Sequence, residues 1–125
     1  MSPSAHVAAR LRAFALSLPD ATEEFPWGER VVKVRGKVFV FLGRDEDLAL
    51  SVGMSVKLPV SRADALESGF GKPTAYGLGK SGWVTLQYEA GDRPDAEQLC
   101  RWIEESWRAV APKRLLAARI AATGG

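Results

Sequence analysis

The chain has 125 residues, 46% of them apolar, with a single cysteine and no apolar run near the roughly 18 residues of a membrane span. This is the composition of one globular domain in a reducing, cytoplasmic setting, and it argues against a disulfide scaffold or a membrane partner. Seventeen Lys and Arg against fifteen Asp and Glu leave a net charge of +2, short of the strongly basic footprint of many DNA-binding domains.

The first predicted element is a helix, with Ser4 as N-cap and Val7, Leu11, Phe14 and Leu18 recurring on one face. Arg10, Arg12 and Ser17 point elsewhere, and Pro19-Asp20 stops it. From Arg30 the period becomes two. Val32 and Val34 share a face, Lys33 takes the other, and residues 38–42 are apolar on both. Arg35-Gly36-Lys37 between them reads as a tight hairpin turn. A third strand, with Leu48, Leu50 and Val52 on one face, follows the charged turn at 44–47. A short helix is expected over 62–68, with Ser61 as N-cap, Asp64 in the capping-box position and Gly69 as the stop.

After a glycine-rich stretch, residues 83–88 alternate as a strand, with Val84, Leu86 and Tyr88 opposite Trp83, Thr85 and Gln87. The last helix opens near Asp95 and places Leu99, Trp102, Ile103, Trp107 and Val110 on one face. Glu104 and Arg108 pair on the other, and Pro112 ends it. The whole reads as one α+β domain over residues 1–125: an antiparallel meander with the N-terminal and C-terminal helices packed on one face.

Charge is segregated along the chain. Arg30, Lys33, Arg35, Lys37 and Arg44 fall in a stretch with no acid, between Asp20, Glu23, Glu24 and Glu29 before it and Asp45, Glu46 and Asp47 after it. Such a stretch suits one basic face, and it equally suits the solvated positions of a half-exposed sheet.

Catalytic motifs fail on context. Gly77-Leu78-Gly79-Lys80-Ser81-Gly82 satisfies G-x-G-x-x-G, but a strand follows it where a dinucleotide site needs a helix. Neither the kinase catalytic loop nor the leading glycine of a P-loop is present. His6 is the only histidine and has no carboxylate partner in sequence, and Cys100 lies beside the last helix's apolar stripe, where packing is its expected role. The adjacent acids lack the spacing of a calcium loop. No catalytic residue, metal site or cofactor is therefore expected. Trp27, Tyr76 and Trp83 lie beside turns or glycines, where exposed rings could stack on a base or line a pocket, whereas Trp102 and Trp107 read as core.

Several strings occur together and in register: Leu18-Pro19 with Glu23-Glu24, Pro26-Trp27-Gly28, Val34-Arg35-Gly36-Lys37-Val38-Phe39, Gly79-Lys80-Ser81-Gly82-Trp83-Val84, and Glu105-Ser106-Trp107 through Ala111-Pro112-Lys113. From Leu18 to Arg114 the chain thereby resembles the MmcQ/YjbR family. The resemblance implies a frataxin-like (CyaY-like) α+β fold and a double-wing nucleic-acid-binding role. Mapped here, the wings are Arg35-Gly36-Lys37 and Gly79-Lys80-Ser81-Gly82. Lys33, Arg35, Lys37, Arg44 and Lys80 are then the candidate phosphate contacts for a non-enzymatic, sequence-independent DNA-binding domain. The alternative is a small-molecule-binding or drug-sequestering protein with a pocket near Trp27, Tyr76 and Trp83. Frataxins bind iron through acids on and near the first helix, and residues 1–19 contain none, so iron is not expected. A monomer is favoured.

Overall fold

The computed structural model describes residues 3–44 and 51–124. Six antiparallel strands, β1 (Ala21–Glu24), β2 (Glu29–Val34), β3 (Lys37–Arg44), β4 (Ser51–Lys57), β5 (Gly71–Pro73) and β6 (Trp83–Glu89), form one sheet in the order β1-β2-β3-β4-β6-β5. Helices α1 (Pro3–Ser17) and α3 (Ala96–Val110) pack on one face, as the two apolar stripes require. Leu11, Ala15 and Leu18 meet Leu99, Trp102, Ile103 and Trp107 over Val32, Val34, Val40, Val56, Val84 and Leu86 in a single core. Helix α2 (Arg62–Glu67) lies against β5 and β6, and α4 (Lys113–Thr123) follows α3.

The first hairpin has a two-residue loop, since Val34 pairs with Lys37. Arg35 (φ 50°) and Gly36 (φ 85°) are both left-handed, the pattern of a type I′ turn whose twist matches that of the strands. Two register shifts between β2 and β3 explain why residues 38–42 are apolar throughout. Phe39, Val40 and Leu42 enter the core, while Phe41 faces the open side opposite Val31.

The Glu105-Ser106-Trp107 string joins α3 to the rest of the fold. Glu105 accepts from the amides of Val60 and Ser61 (2.9 Å each) and from the Ser61 hydroxyl (2.7 Å). Ser106, fully buried, accepts from the Lys57 amide and donates to the Phe39 carbonyl. Trp107 donates its indole N–H to the Pro19 carbonyl at 3.1 Å.

Several expectations need correction. Ser4 lies inside α1, not at its cap. Ser61 stands at the N-cap of α2, but its hydroxyl is taken by Glu105 and makes no cap bond. Pro112 ends α3 and then serves as the N-cap of α4, a helix that a stop signal alone hides. Strands β1 and β5 were not foreseen. Both are short edge strands, one carrying charge and the other a proline, features that blunt a sheet edge and also erase its hydrophobic pattern. Residues 48–50 of the expected third strand, and Asp45, Glu46 and Asp47, lie outside the described residues. Asp95 caps α3 as expected, accepting from the amides of Glu97 and Gln98 at 3.1 and 3.2 Å.

Candidate nucleic-acid interface

Helices cover one face of the sheet, and the opposite face is where exposed chemistry collects. Strand pairing aligns Val31, Phe41, Ser55, Thr85 and Lys72 in one row across five strands, so their side chains share that open face. Alternation along β4 buries Val52, Met54 and Val56 and turns Ser55 and Lys57 outward. The Arg35-Gly36 turn and the 74–82 connection between β5 and β6 lie at the same end of the sheet, because the registers place Val34–Lys37, Lys57–Trp83 and Pro73–Val84 together there.

The second connection is a compact turn and not a free hairpin tip. Leu78–Ser81 forms a short 3₁₀ helix. A Cβ on Gly79 would lie 2.8 Å from the Pro73 Cβ and 3.1 Å from the Thr74 carbonyl, so the backbone here packs directly on β5. The G-x-G-x-x-G string is thus explained by turn geometry. Lys80 is exposed on it.

The five predicted cations do not form one surface. Lys33 stands on the open face and is bound to Glu24 of β1 at 3.2 Å. Arg35 is paired with Asp20 at 2.6 Å. Lys37 shares a face with Val34, opposite to Lys33, because the two-residue loop reverses the alternation. Arg44 ends β3 opposite Glu29, at the far end from both turns, with its guanidinium against Gly28. Upstream, Glu23 bridges Arg12 (2.6 Å) and Arg30 (2.8 Å), and the Arg12 hydrogen bonds lower its pKa against the opposing effect of burial. Much of the segregated charge is thereby neutralised within the fold.

What the linear pattern missed is the spacing of lysines across strands. Lys33, Lys37, Lys57 and Lys72 fall one to each of β2, β3, β4 and β5, and Lys80 follows on the connection to β6. Among the described residues, no ion pair is made by Lys37, Lys57, Lys72 or Lys80. Lys57 and Lys72 lie well downstream of the first turn in sequence, so only strand pairing reveals that they share its end of the sheet.

The three candidate aromatics separate. Trp83 is buried on the open face, its ring 5.5 Å from Phe41 in an edge-to-face contact, which removes it as a stacking surface. Trp27 is 91% exposed but sits in the β1–β2 connection, at the end of the sheet away from both turns. Tyr76 is fully exposed in the 74–82 connection and lines a cleft of about 460 Å³ with Phe41, Ser55, Thr74, Leu78 and Thr85. Trp27 and Tyr76 both have left-handed backbone, at φ 53° and 61°. Trp27 and Trp83 are not among the cleft's lining residues, so of the three rings this cleft takes only Tyr76.

A second cleft, about 590 Å³, lies on the helix side near Phe14, Val60 and Cys100. Its acids are already engaged, Glu104 by Arg108 and Arg119 and Glu105 by the 60–61 backbone. Cys100 packs in the core, and burial raises its thiol pKa. Among the described residues, no three His, Cys, Asp or Glu side chains are grouped to hold a metal ion, and no helix is long and apolar enough to cross a membrane.

The YjbR family model matches residues 16–109. No curated protein matches the chain. Among solved structures the chain is similar to protein DR2400 of Deinococcus radiodurans, which carries a DUF419 domain. The two are 25% identical over 91% of this chain and 85% of that one, with a TM-score of 0.65. Three-quarters of the sequence and nearly all of the fold point the same way, and the chain belongs to the YjbR family.

Proposed function

We propose that the open sheet face is a non-enzymatic, sequence-independent nucleic-acid interface, with Lys57, Lys72 and Lys80 as its phosphate contacts. The observation that carries this reading is that these three lysines have no ion partner among the described residues and lie between or beside two turns at one end of the sheet. A lysine already paired must give up its partner before it neutralises a phosphate; an unpaired one does not. Lys33 and Arg35 therefore contribute less, and Arg44 belongs to another part of the surface. Among the described residues, no helix on this face is available to read base edges, so affinity should come from counterion release.

The test is a titration of DNA by fluorescence anisotropy at two salt concentrations. The triple variant Lys57→Glu, Lys72→Glu, Lys80→Glu should bind weakly, and its log-log salt slope should be flatter by about 3 on duplex and about 2 on single strands. The double variant Arg35→Glu, Lys37→Glu should lose less. Lys113→Glu, on exposed α4, serves as the charge control and should bind as the wild type does. An unchanged slope in the triple variant would exclude these residues as phosphate contacts, and no binding by the wild type at low salt would exclude the function.

A further inference from the structure

We propose that the open-face cleft receives one unpaired nucleobase, so that the protein is a single-strand binder; this rests on the phosphate-binding reading of the surrounding lysines. The cleft of about 460 Å³ falls within the range of roughly 300–1,000 Å³ usual for small-ligand sites. Phe41 supplies an apolar surface, and the fully exposed Tyr76 ring stands at the margin. A flat ring between such groups gains stacking energy whatever its identity.

The polar groups suit a base edge in particular. Ser55 and Thr85 hydroxyls are 2.8 Å apart, and Thr85 and Thr74 hydroxyls 3.0 Å apart, giving a chain of three. Two hydrogen bonds use two of the three protons. When both bonds run in the same direction, one O–H is left to donate at an end of the chain, and because either atom can be the donor in each bond, that end can switch. The chain can therefore meet a carbonyl or an amino group, which gives base binding with little base preference.

Charge orients the nucleotide. Lys72 lines the cleft, Lys57 follows two positions after Ser55 on the same face, and Lys80 lies two positions after Leu78 of the lining. Glu29 lines the cleft as the acid among its residues and disfavours phosphate beside it. The sugar-phosphate backbone then runs along the lysines with the base turned inward. A duplex cannot make this contact, because its bases are stacked and paired.

The probes are a fluorescein-labelled twelve-nucleotide strand of mixed sequence, its duplex, and a strand of the same length with abasic residues. The intact single strand should bind more tightly than either. Tyr76→Ala should weaken the intact strand about 5- to 150-fold, erase its advantage over the abasic strand, and leave the salt slope unchanged. Thr85→Val, nearly the same shape, should weaken it roughly 2- to 10-fold. Thermal melts of both variants establish that they are folded. If intact and abasic strands bind alike, or duplex binds at least as tightly, the base site is wrong. Should the triple lysine variant still flatten the slope in that case, the phosphate-binding face survives without it. If no DNA binds at low salt, both readings fall.

Discussion

The hydroxyl of Ser106 closes hydrogen bonds on two strands at once, with the Lys57 amide on β4 and the Phe39 carbonyl on β3. Ser106 and Phe39 are fully buried and Lys57 is half-buried, so without the hydroxyl the Phe39 carbonyl loses its partner away from water and the Lys57 amide loses its partner in partial shelter. Ser106→Ala should therefore cost about 1–3 kcal/mol, the penalty of leaving a buried acceptor and a part-buried donor without that partner. Urea unfolding measures it, and a loss below about 1 kcal/mol would mean that the two groups find each other or water. Lys57 also presents its side chain on the open face, so the same substitution tests whether α3 helps to hold that lysine in place: DNA affinity should fall in a variant that remains folded.

At the scale of an element, the β2–β3 hairpin holds Arg35 in a left-handed conformation that asparagine adopts with less strain. Its ion pair with Asp20 is half-exposed on both sides and stabilises by no more than about 1 kcal/mol. Arg35→Asn should accordingly be neutral or stabilising by up to about 1 kcal/mol, with Tm unchanged or a few degrees higher. A clear loss of stability would show that the pair contributes more than its exposure suggests. Trp27 and Tyr76 share this left-handed backbone while exposing their rings, and such strain at an exposed aromatic position fits the stacking role proposed for Tyr76.

For the whole molecule, two carboxylates tie elements together. Glu23 on β1 joins Arg12 of α1 to Arg30 of β2, and Glu104 on α3 joins Arg108 to Arg119 of α4. For Glu23 the hydrogen bonds from Arg12 lead in lowering the pKa; for Glu104 burial raises it, but the hydrogen bonds from Arg119 and Arg108 outweigh that. Each folded pKa therefore lies below its unfolded value. Their stabilisation is complete above the ordinary glutamate range and is lost as pH falls through the lowered values. Tm should hold from neutral pH to about 5 and then fall. Glu23→Gln and Glu104→Gln should each lower Tm at neutral pH and make the acid decline shallower; an unchanged acid profile would show that the pairs are not linked to folding.

The sequence by itself determined what local pattern can encode: the stripes of α1 and α3, the Asp95 cap, the Arg35-Gly36 turn, the alternation of β6, and the helices' shared face, since each stripe had one sheet to bury against. Its motif strings also carried the family. Local pattern could not reveal β1 and β5, whose charge and proline suit an edge and not a core, nor α4 behind Pro112. The basic segment at 30–44 looked like a surface because charges close in sequence were counted together, yet Glu24 and Asp20 fold back onto Lys33 and Arg35. Which cations stay unpaired, and which side chains line a cleft, depends on strand register. Lys57, Lys72, Ser55 and Thr85 become neighbours only when β4, β5 and β6 pair, and that pairing is set by burying Met54, Val56, Val84 and Leu86 on the opposite face.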